Sequence, residues 1–243
     1  NPMEGLEKLK QSATGVQYPS IMSVTKKVLQ IDTLPSYWEV RYIILSLGKR
    51  RWLRFCSRFS LFNVETAEFV RALSDVLKYL PNLRLEVCAG SGKLSYWLKK
   101  FGVDIIATDD YSWKLRRSRF NVEKLSIEEA LEKYNPRTVL GSWIPANEKH
   151  GESILSFSSV EYFIDIGEGP GADSSWMHAI DPHEIRDFAN QFGFNVLFLP
   201  ISNWAVSQTD EPTPWGITNK TKVILFVKFK EEQKGNNYSA FKF

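Results

Sequence analysis

The 243-residue sequence predicts an α/β protein with helices on both faces of a mostly parallel sheet, and three observations carry that reading. Short β-like runs alternate with helical stretches from residue 83 onward, the pattern of a sheet covered by crossover helices. A run of small residues at 88–92 separates an apolar strand from an amphipathic helix. The last two apolar runs are joined by a loop rich in Pro, Trp and Thr in place of a helix, which suits antiparallel neighbours.

The elements follow in order. Residues 1–82 read as a helical extension, clearest in "VETAEFVRALSDVLKYLPN", where Val64, Ala67, Val70, Leu73, Val76 and Leu77 recur at threes and fours. Pro81 and Asn82 end that helix. Strand-like "LRLEV" leads into helical "KLSYWLKKFG", strand-like "VDIIATDD" and helical "SIEEALEKYN". "RTVLGSW", "VEYFIDIGEG", the helix "DPHEIRDFANQFG", "NVLFLPI" and "KVILFVKFK" complete a domain over 83–230. Residues 231–243 are polar and read as a loose tail. The extension is positioned to act as a lid or a substrate-recognition element.

Composition narrows the classes. With 43% hydrophobic and 24% charged residues the chain has the make-up of a folded globular protein, and a net charge of +3 names no partner. Cys56 and Cys88 offer neither a disulfide framework nor metal-ligand spacing, which points to a reducing, cytoplasmic setting. His150, His178 and His183 are scattered, so no metal site is expected. No apolar run approaches the roughly 18 residues of a membrane span, and the N-terminus lacks the features of a signal peptide.

The small-residue turn carries the functional argument. Gly90 and Gly92 permit backbone angles closed to other residues and let a ligand lie against the main chain, under the N-terminal amides of the next helix. A phosphate-gripping P-loop is excluded, because Val87 replaces its first glycine and Leu94 its hydroxyl residue. A dinucleotide turn fits imperfectly, with Ser95 at its third small position, and leaves an NAD-dependent oxidoreductase as an alternative.

"EVCAGSG" resembles the first motif of class I S-adenosylmethionine-dependent methyltransferases, [DE]-x-G-x-G-x-G. Glu86, Gly90 and Gly92 match it, and Cys88 replaces its first glycine. "VDIIATDD" resembles the second motif, whose closing acid binds both ribose hydroxyls; Asp109 takes that position, with Asp110 beside it. "NVEKLSIEEAL" resembles the segment bordering the adenine, with Val122, Glu123 and Leu125 as candidates and Ser126 where an acid is often found. "RTVLGSWIPANE" occupies the place of the fourth motif. The resemblance runs from Leu83 to Phe229 and implies a seven-stranded Rossmann-like sheet with its last strand antiparallel. It also implies S-adenosyl-L-methionine as cofactor, held by Glu86, Cys88, Ala89, Gly90, Ser91, Gly92, Asp109, Asp110, Val122, Glu123, Leu125 and Ser142.

Methyl transfer from a sulfonium requires alignment and desolvation of the acceptor more than a dedicated base. At the carboxyl ends of the strands the candidate catalytic residues are Ser142, Trp143 and Glu168, near Ile144, Pro145, Asn147, Glu148, Gly167 and Gly169. His178 is a candidate for proton transfer, whereas His183 suits the first turn of a helix. Trp204 and Trp215 are candidates to roof a planar substrate. The motif [DN]-P-P-[YF] of many base-methylating members is absent from "SWIP", which keeps a non-catalytic binding or scaffolding subunit among the alternatives.

Two basic clusters bear on partners: Lys49, Arg50, Arg51, Arg54 and Arg58, interleaved with Trp52, Phe55 and Phe59, and Lys114, Arg116, Arg117 and Arg119. Each is compatible with nucleic-acid binding or with arginines snorkelling over an aromatic core. The acceptor is open among small molecules, proteins and RNA.

Overall fold

The computed structural model describes residues 20–30, 32–112, 120–145, 148–168, 182–214, 216–218 and 220–229. The polar tail at 231–243 lies outside them.

Three helices open the described chain, and each starts and stops for local reasons. Helix α1 (Ile21–Leu29) is capped by Ser20, whose hydroxyl accepts from the Ser23 amide at 3.1 Å. Helix α2 (Tyr37–Leu47) opens with a reciprocal capping box between Ser36 and Glu39. Helix α3 (Lys49–Phe59) follows Gly48 at φ 73° and ends at Ser60 in the left-handed region. Their apolar faces meet around Val24, Val28, Val40, Ile44, Trp52 and Cys56 in a small core of their own.

Helix α4 (Ala67–Tyr79), capped by Thr66, belongs to a different layer. Its Phe69, Val70, Leu73 and Leu77 are buried against Leu94 and Leu98, and against Leu140 and Ile164 of the sheet. Although it precedes residue 83, α4 therefore covers the sheet, and only α1 to α3 stand apart with a separate core.

The sheet contains β1 (Arg84–Val87), β2 (Ile106–Asp109), β3 (Val122–Lys124), β4 (Thr138–Ser142), β5 (Tyr162–Gly167), β6 (Phe194–Phe198) and β9 (Lys222–Lys228). Helices α5 (Lys93–Lys100), α6 (Ile127–Tyr134), α7 (Glu148–Ser156) and α8 (Pro182–Gln191) lie between strands in sequence. The strand order is β3-β2-β1-β4-β5-β9-β6. β1 to β5 pair in parallel, and β9 runs antiparallel to both β5 and β6. An all-parallel dinucleotide sheet has the order 3-2-1-4-5-6; the antiparallel strand inserted beside β6 makes this the class I methyltransferase fold. Every residue of β1 is buried, as expected of a central strand covered on both faces.

The loop expected between the last two apolar runs holds more structure than its composition indicates. A short 3-10 helix (Pro200–Trp204) is followed by a two-stranded ribbon, β7 (Glu211–Thr213) and β8 (Gly216–Thr218). Strands this short, one of them containing Pro212, give no periodic signal. They are held by tertiary contacts, with Ile217 packed on the α1–α3 core and its carbonyl accepting from Arg41 at 3.2 Å. No helix among the described residues is long and apolar enough to cross a membrane.

The sheet order reverses on either side of β1, because the chain leaves it for β2 and β3 and returns on its other side at β4. In open α/β sheets the crevice at such a reversal collects ligands beyond the carboxyl ends of the strands. Gly141, late in β4, keeps one wall of that crevice in place. A Cβ there would stand 2.7 Å from Ile144 Cγ1 and closer still to Cδ1, and Ile144 is fully buried. Gly141→Ala should therefore cost about 1–3 kcal/mol through overpacking, read as a lower urea midpoint at unchanged m-value; an unaltered midpoint would show that Ile144 repacks freely.

Candidate functional site

At the end of β1 the chain turns through Cys88 (φ 52°), Gly90 (φ 54°) and Gly92 (φ 76°) before α5 begins. Gly92 caps the helix, and its amide donates to the Ala89 carbonyl at 2.8 Å. Cys88 adopts a left-handed conformation uncommon for a residue with a side chain, at the position where the motif carries glycine. The half-buried thiol is desolvated by its surroundings, which pushes its pKa up and keeps it neutral.

Asp109 closes β2 and reaches across to this turn. Its Oδ2 accepts from the Gly90 amide at 2.7 Å and its Oδ1 from the Tyr111 amide at 2.7 Å. One carboxylate thus ties two turns together, and each oxygen keeps a second lone pair for another donor.

Glu86 lies in β1 directly beneath the turn and is 2% exposed. It accepts a hydrogen bond from Ser95 Oγ. Burial is the main cause pushing its carboxyl up to about 8, and the nearby charges of Glu65 and Asp109 add to it.

Together these residues floor a cleft of about 260 Å³. Glu86, Cys88, Ala89, Gly90, Ser91, Asp109 and Asp110 line it on the sheet side, and Ser142, Trp143 and Pro145 line it beyond β4. The opposite wall comes from the end of α3 and the segment after it, including Arg58, Phe59, Phe62, Asn63 and Glu65.

That second wall is pinned from several directions. Val64 donates to the Val206 carbonyl at 2.8 Å, Gln208 donates to the Phe62 carbonyl at 3.0 Å, and Leu61 donates to the Cys56 carbonyl at 3.0 Å. The Trp52 indole donates to the Ser207 carbonyl at 2.9 Å from below. On the cleft side Lys93 Nζ reaches the Val28 carbonyl at 2.9 Å and the Glu65 carboxylate at 3.3 Å. Lys93 is thus a strut between α1 and the glycine turn.

Trp143 sits where β4 ends, with φ 57° and its amide donating to the Ile166 carbonyl at 2.7 Å. Its ring lies 5.9 Å from that of Phe62, tilted by 31°. The indole nitrogen is buried without a hydrogen-bond partner among the described residues, as are both amide atoms of Asn63.

Not every candidate converges here. Glu123 turns to the sheet edge, where it meets Lys133 and Tyr134. Leu125 packs into the core beneath β1 and β4 and donates its amide to the Asp109 carbonyl at 3.2 Å. Neither these two nor Val122 is among the residues lining the cleft.

Glu168 also lies off the cleft. It is buried and accepts from Ser207 Oγ at 3.2 Å and from Thr209 Oγ1. Asp210 shares the same Ser207 hydroxyl, and burial pushes its carboxyl up to about 7. Trp204 makes an edge contact with Tyr37, ring centroids 5.2 Å apart. His183 is exposed in α8. Asn147, Gly169, His178, Trp215 and the cluster from Lys114 to Arg119 lie outside the described residues, as does the side chain of Glu148.

The charges lining the cleft are unequal. Glu65 is paired with Lys93, and Arg58 stands at the outer end, so the carboxylates of Asp109 and Asp110 dominate the floor, with the proton-holding carboxyl of Glu86 beneath them. Such a floor selects a ligand carrying positive charge and hydroxyl or amine donors.

No protein-family model matches the chain, and no curated protein sequence matches it significantly. Solved structures do. One is a SAM-dependent methyltransferase from Archaeoglobus fulgidus, at 15% identity over 73% of this chain and 99% of that one, with a TM-score of 0.46. Another is magnesium protoporphyrin IX methyltransferase from Synechocystis PCC 6803 with bound SAM, at 15% identity over 66% and 76%, TM-score 0.43. A third is 1,6-didemethyltoxoflavin-N1-methyltransferase from Burkholderia thailandensis, at 12% identity over 68% and 79%, TM-score 0.44. The fold assignment rests on the strand order.

Glu86 makes stability depend on pH with a definite sign. Its folded value of about 8 lies above the unfolded carboxylate value of about 4.3, so the folded state binds the proton more tightly. Its contribution is most favourable below the unfolded value and declines as pH rises toward 8. Glu86→Gln should therefore gain on wild type between pH 5 and pH 8 in chemical denaturation. Parallel curves for the two proteins would mean that Glu86 ionises like an exposed acid.

Proposed function

We propose that this chain is an S-adenosylmethionine-dependent methyltransferase. The observation that carries the reading is the pairing of two acids around one glycine turn: Glu86, buried beneath it, and Asp109, closing the next strand and bonded to Gly90. A carboxylate at Glu86's depth is costly to ionise alone and is relieved by a cationic partner. The donor's amino group answers that need, and the remaining lone pairs of Asp109 suit a vicinal diol. The residues present therefore fit the cofactor.

When bound, S-adenosylmethionine supplies a methyl group already activated on a sulfonium. The remaining work falls to the chain. Glu86 would hold the donor's amino group and Asp109 its ribose hydroxyls, and the open backbone of Gly90 and Ser91 would allow close approach. Trp143 and Ser142 border the reacting region, where an aromatic face favours positive charge and excludes water. Glu168 is turned into Ser207 and Thr209, so we assign it no proton transfer and read the reaction as one of alignment. The α1–α3 unit, tied down by Lys93 and Trp52, covers the acceptor side. The cysteine usage fits a cytoplasmic setting.

Two observations bear on the alternatives. The antiparallel β9 counts against an all-parallel dinucleotide sheet. The absence of an acid or amide at Ser142 leaves a non-catalytic binding subunit as the second reading.

Calorimetry should show saturable binding of S-adenosylmethionine that weakens at least about tenfold in Asp109→Ala, the loss of roughly one charge-assisted hydrogen bond; undiminished binding in a folded variant would refute the site. Because a cation favours ionised Glu86, affinity should rise from pH 6 to pH 8, with proton release at pH 7 visible as a dependence of binding enthalpy on the buffer. Donor binding with no transfer of labelled methyl to any acceptor in a cell extract would select the non-catalytic reading.

A further inference from the structure

The exposed face of α3 is cationic and leads to the cleft. Arg50, Arg51, Arg54 and Arg58 are all exposed, while the buried side of the helix consists of Trp52 and Cys56. Lys49 pairs with Glu211, but none of the four arginines meets a carboxylate among the described residues. Snorkelling over the buried core does not describe them, because their side of the helix is open; Arg58 lies 5.8 Å over the exposed ring of Phe59. Exposed Leu53 and Phe59 are interleaved with them. From Arg50 to Arg58 the face extends roughly 12 Å along the helix, longer than a single phosphate group.

Arg58 and Phe59 are also cleft residues, so this face continues into the proposed transfer site. Charge divides the route. Outside lie exposed arginines that meet no carboxylate among the described residues; inside lie the carboxylates of Asp109 and Asp110, which repel phosphate. A partner spanning both must carry several negative charges outside and present a neutral group within.

The inner wall has matching chemistry. Asn63 is 8% exposed and Trp143 6% exposed, and the amide of the first and the indole nitrogen of the second lack partners among the described residues. A carboxamide is completed by an edge offering a donor and an acceptor side by side, as an unpaired nucleobase does. Trp143 is a bulky residue held at φ 57°, a strained conformation of the kind that accumulates at binding sites.

We propose that the acceptor is a single-stranded nucleic acid, its phosphates lying along the arginine face of α3 and one base entering past Phe59 toward Asn63 and Trp143. This rests on the methyltransferase reading for the chemistry, but nucleic-acid binding is measurable without the donor. An anionic membrane also answers four arginines, yet it offers nothing to the buried amide.

The test is fluorescence anisotropy with labelled 12-nucleotide RNA and DNA homopolymers across a salt series, alongside calorimetry with S-adenosylmethionine. Wild type should bind with a steep salt dependence. Arg50→Glu/Arg54→Glu should weaken binding more than tenfold, and Arg50→Gln/Arg54→Gln should lower the salt slope by about 1.4. Both should leave donor affinity and melting temperature unchanged. Asn63→Ala should keep the salt slope and lose the preference among bases. The proposal is overturned if neither oligonucleotide binds while the donor does, if charge reversal has no effect, or if Asn63→Ala retains the wild-type base preference. Binding to phosphatidylserine vesicles without oligonucleotide binding would also overturn it. Failure of donor binding in wild type, with oligonucleotide binding intact, would instead remove the methyl-donor reading and support the nucleic-acid surface.

Discussion

The two hydrogen bonds that Asp109 accepts from the Gly90 and Tyr111 amides are the constraint from which the cleft takes its shape. Each is charge-assisted and therefore stronger than a neutral amide bond. Together they hold the turns after β1 and β2 at one spacing along the floor. Left-handed residues at Cys88, Gly90 and Tyr111 become tolerable because both ends of that arrangement are fixed. Glu86 then lies beneath a turn that cannot move aside to admit water, and its acidity shifts accordingly.

A second constraint comes from far away in the chain. The segment after α3 is paired with residues 206–208, which follow the 3-10 helix, and this pairing converts a helical appendage into a cleft wall. Trp52 anchors the same junction from the helical core, and Lys93 anchors it from the glycine turn. The wall is therefore built into the fold at three points. It brings Asn63 and Phe62 opposite the glycine turn, and Phe62 meets Trp143 across the cleft.

The charge pattern follows from the same construction. Sheet strands end in acids at the floor, whereas the helix that contributes the far wall is basic on its open side. Lys93 neutralises Glu65 where the two halves meet. Acidic floor and basic approach are thus separated by an aromatic threshold formed by Phe59, Phe62 and Trp143, and a single small ion would not bridge them.

What could be read in the sequence was whatever depends on near neighbours. The strand-turn-helix at 84–100, the acid closing β2 and the antiparallel ending each follow from alternation, helical spacing or a glycine's backbone freedom, which act over a few residues. The direction of a side chain relative to distant elements is a different quantity. Glu123 resembles an adenine-bordering residue, yet in β3 it faces the edge, where Lys133 and Tyr134 claim it. Glu168 follows a strand at the right end of the sheet, but hydroxyls brought from 207 and 209 hold it away from the cleft. The roles of Asn63, Phe62 and Lys93 left no local trace, because they arise from pairings between segments far apart in the chain. Local backbone chemistry determined where a ligand could lie, and tertiary closure decided which side chains would meet it.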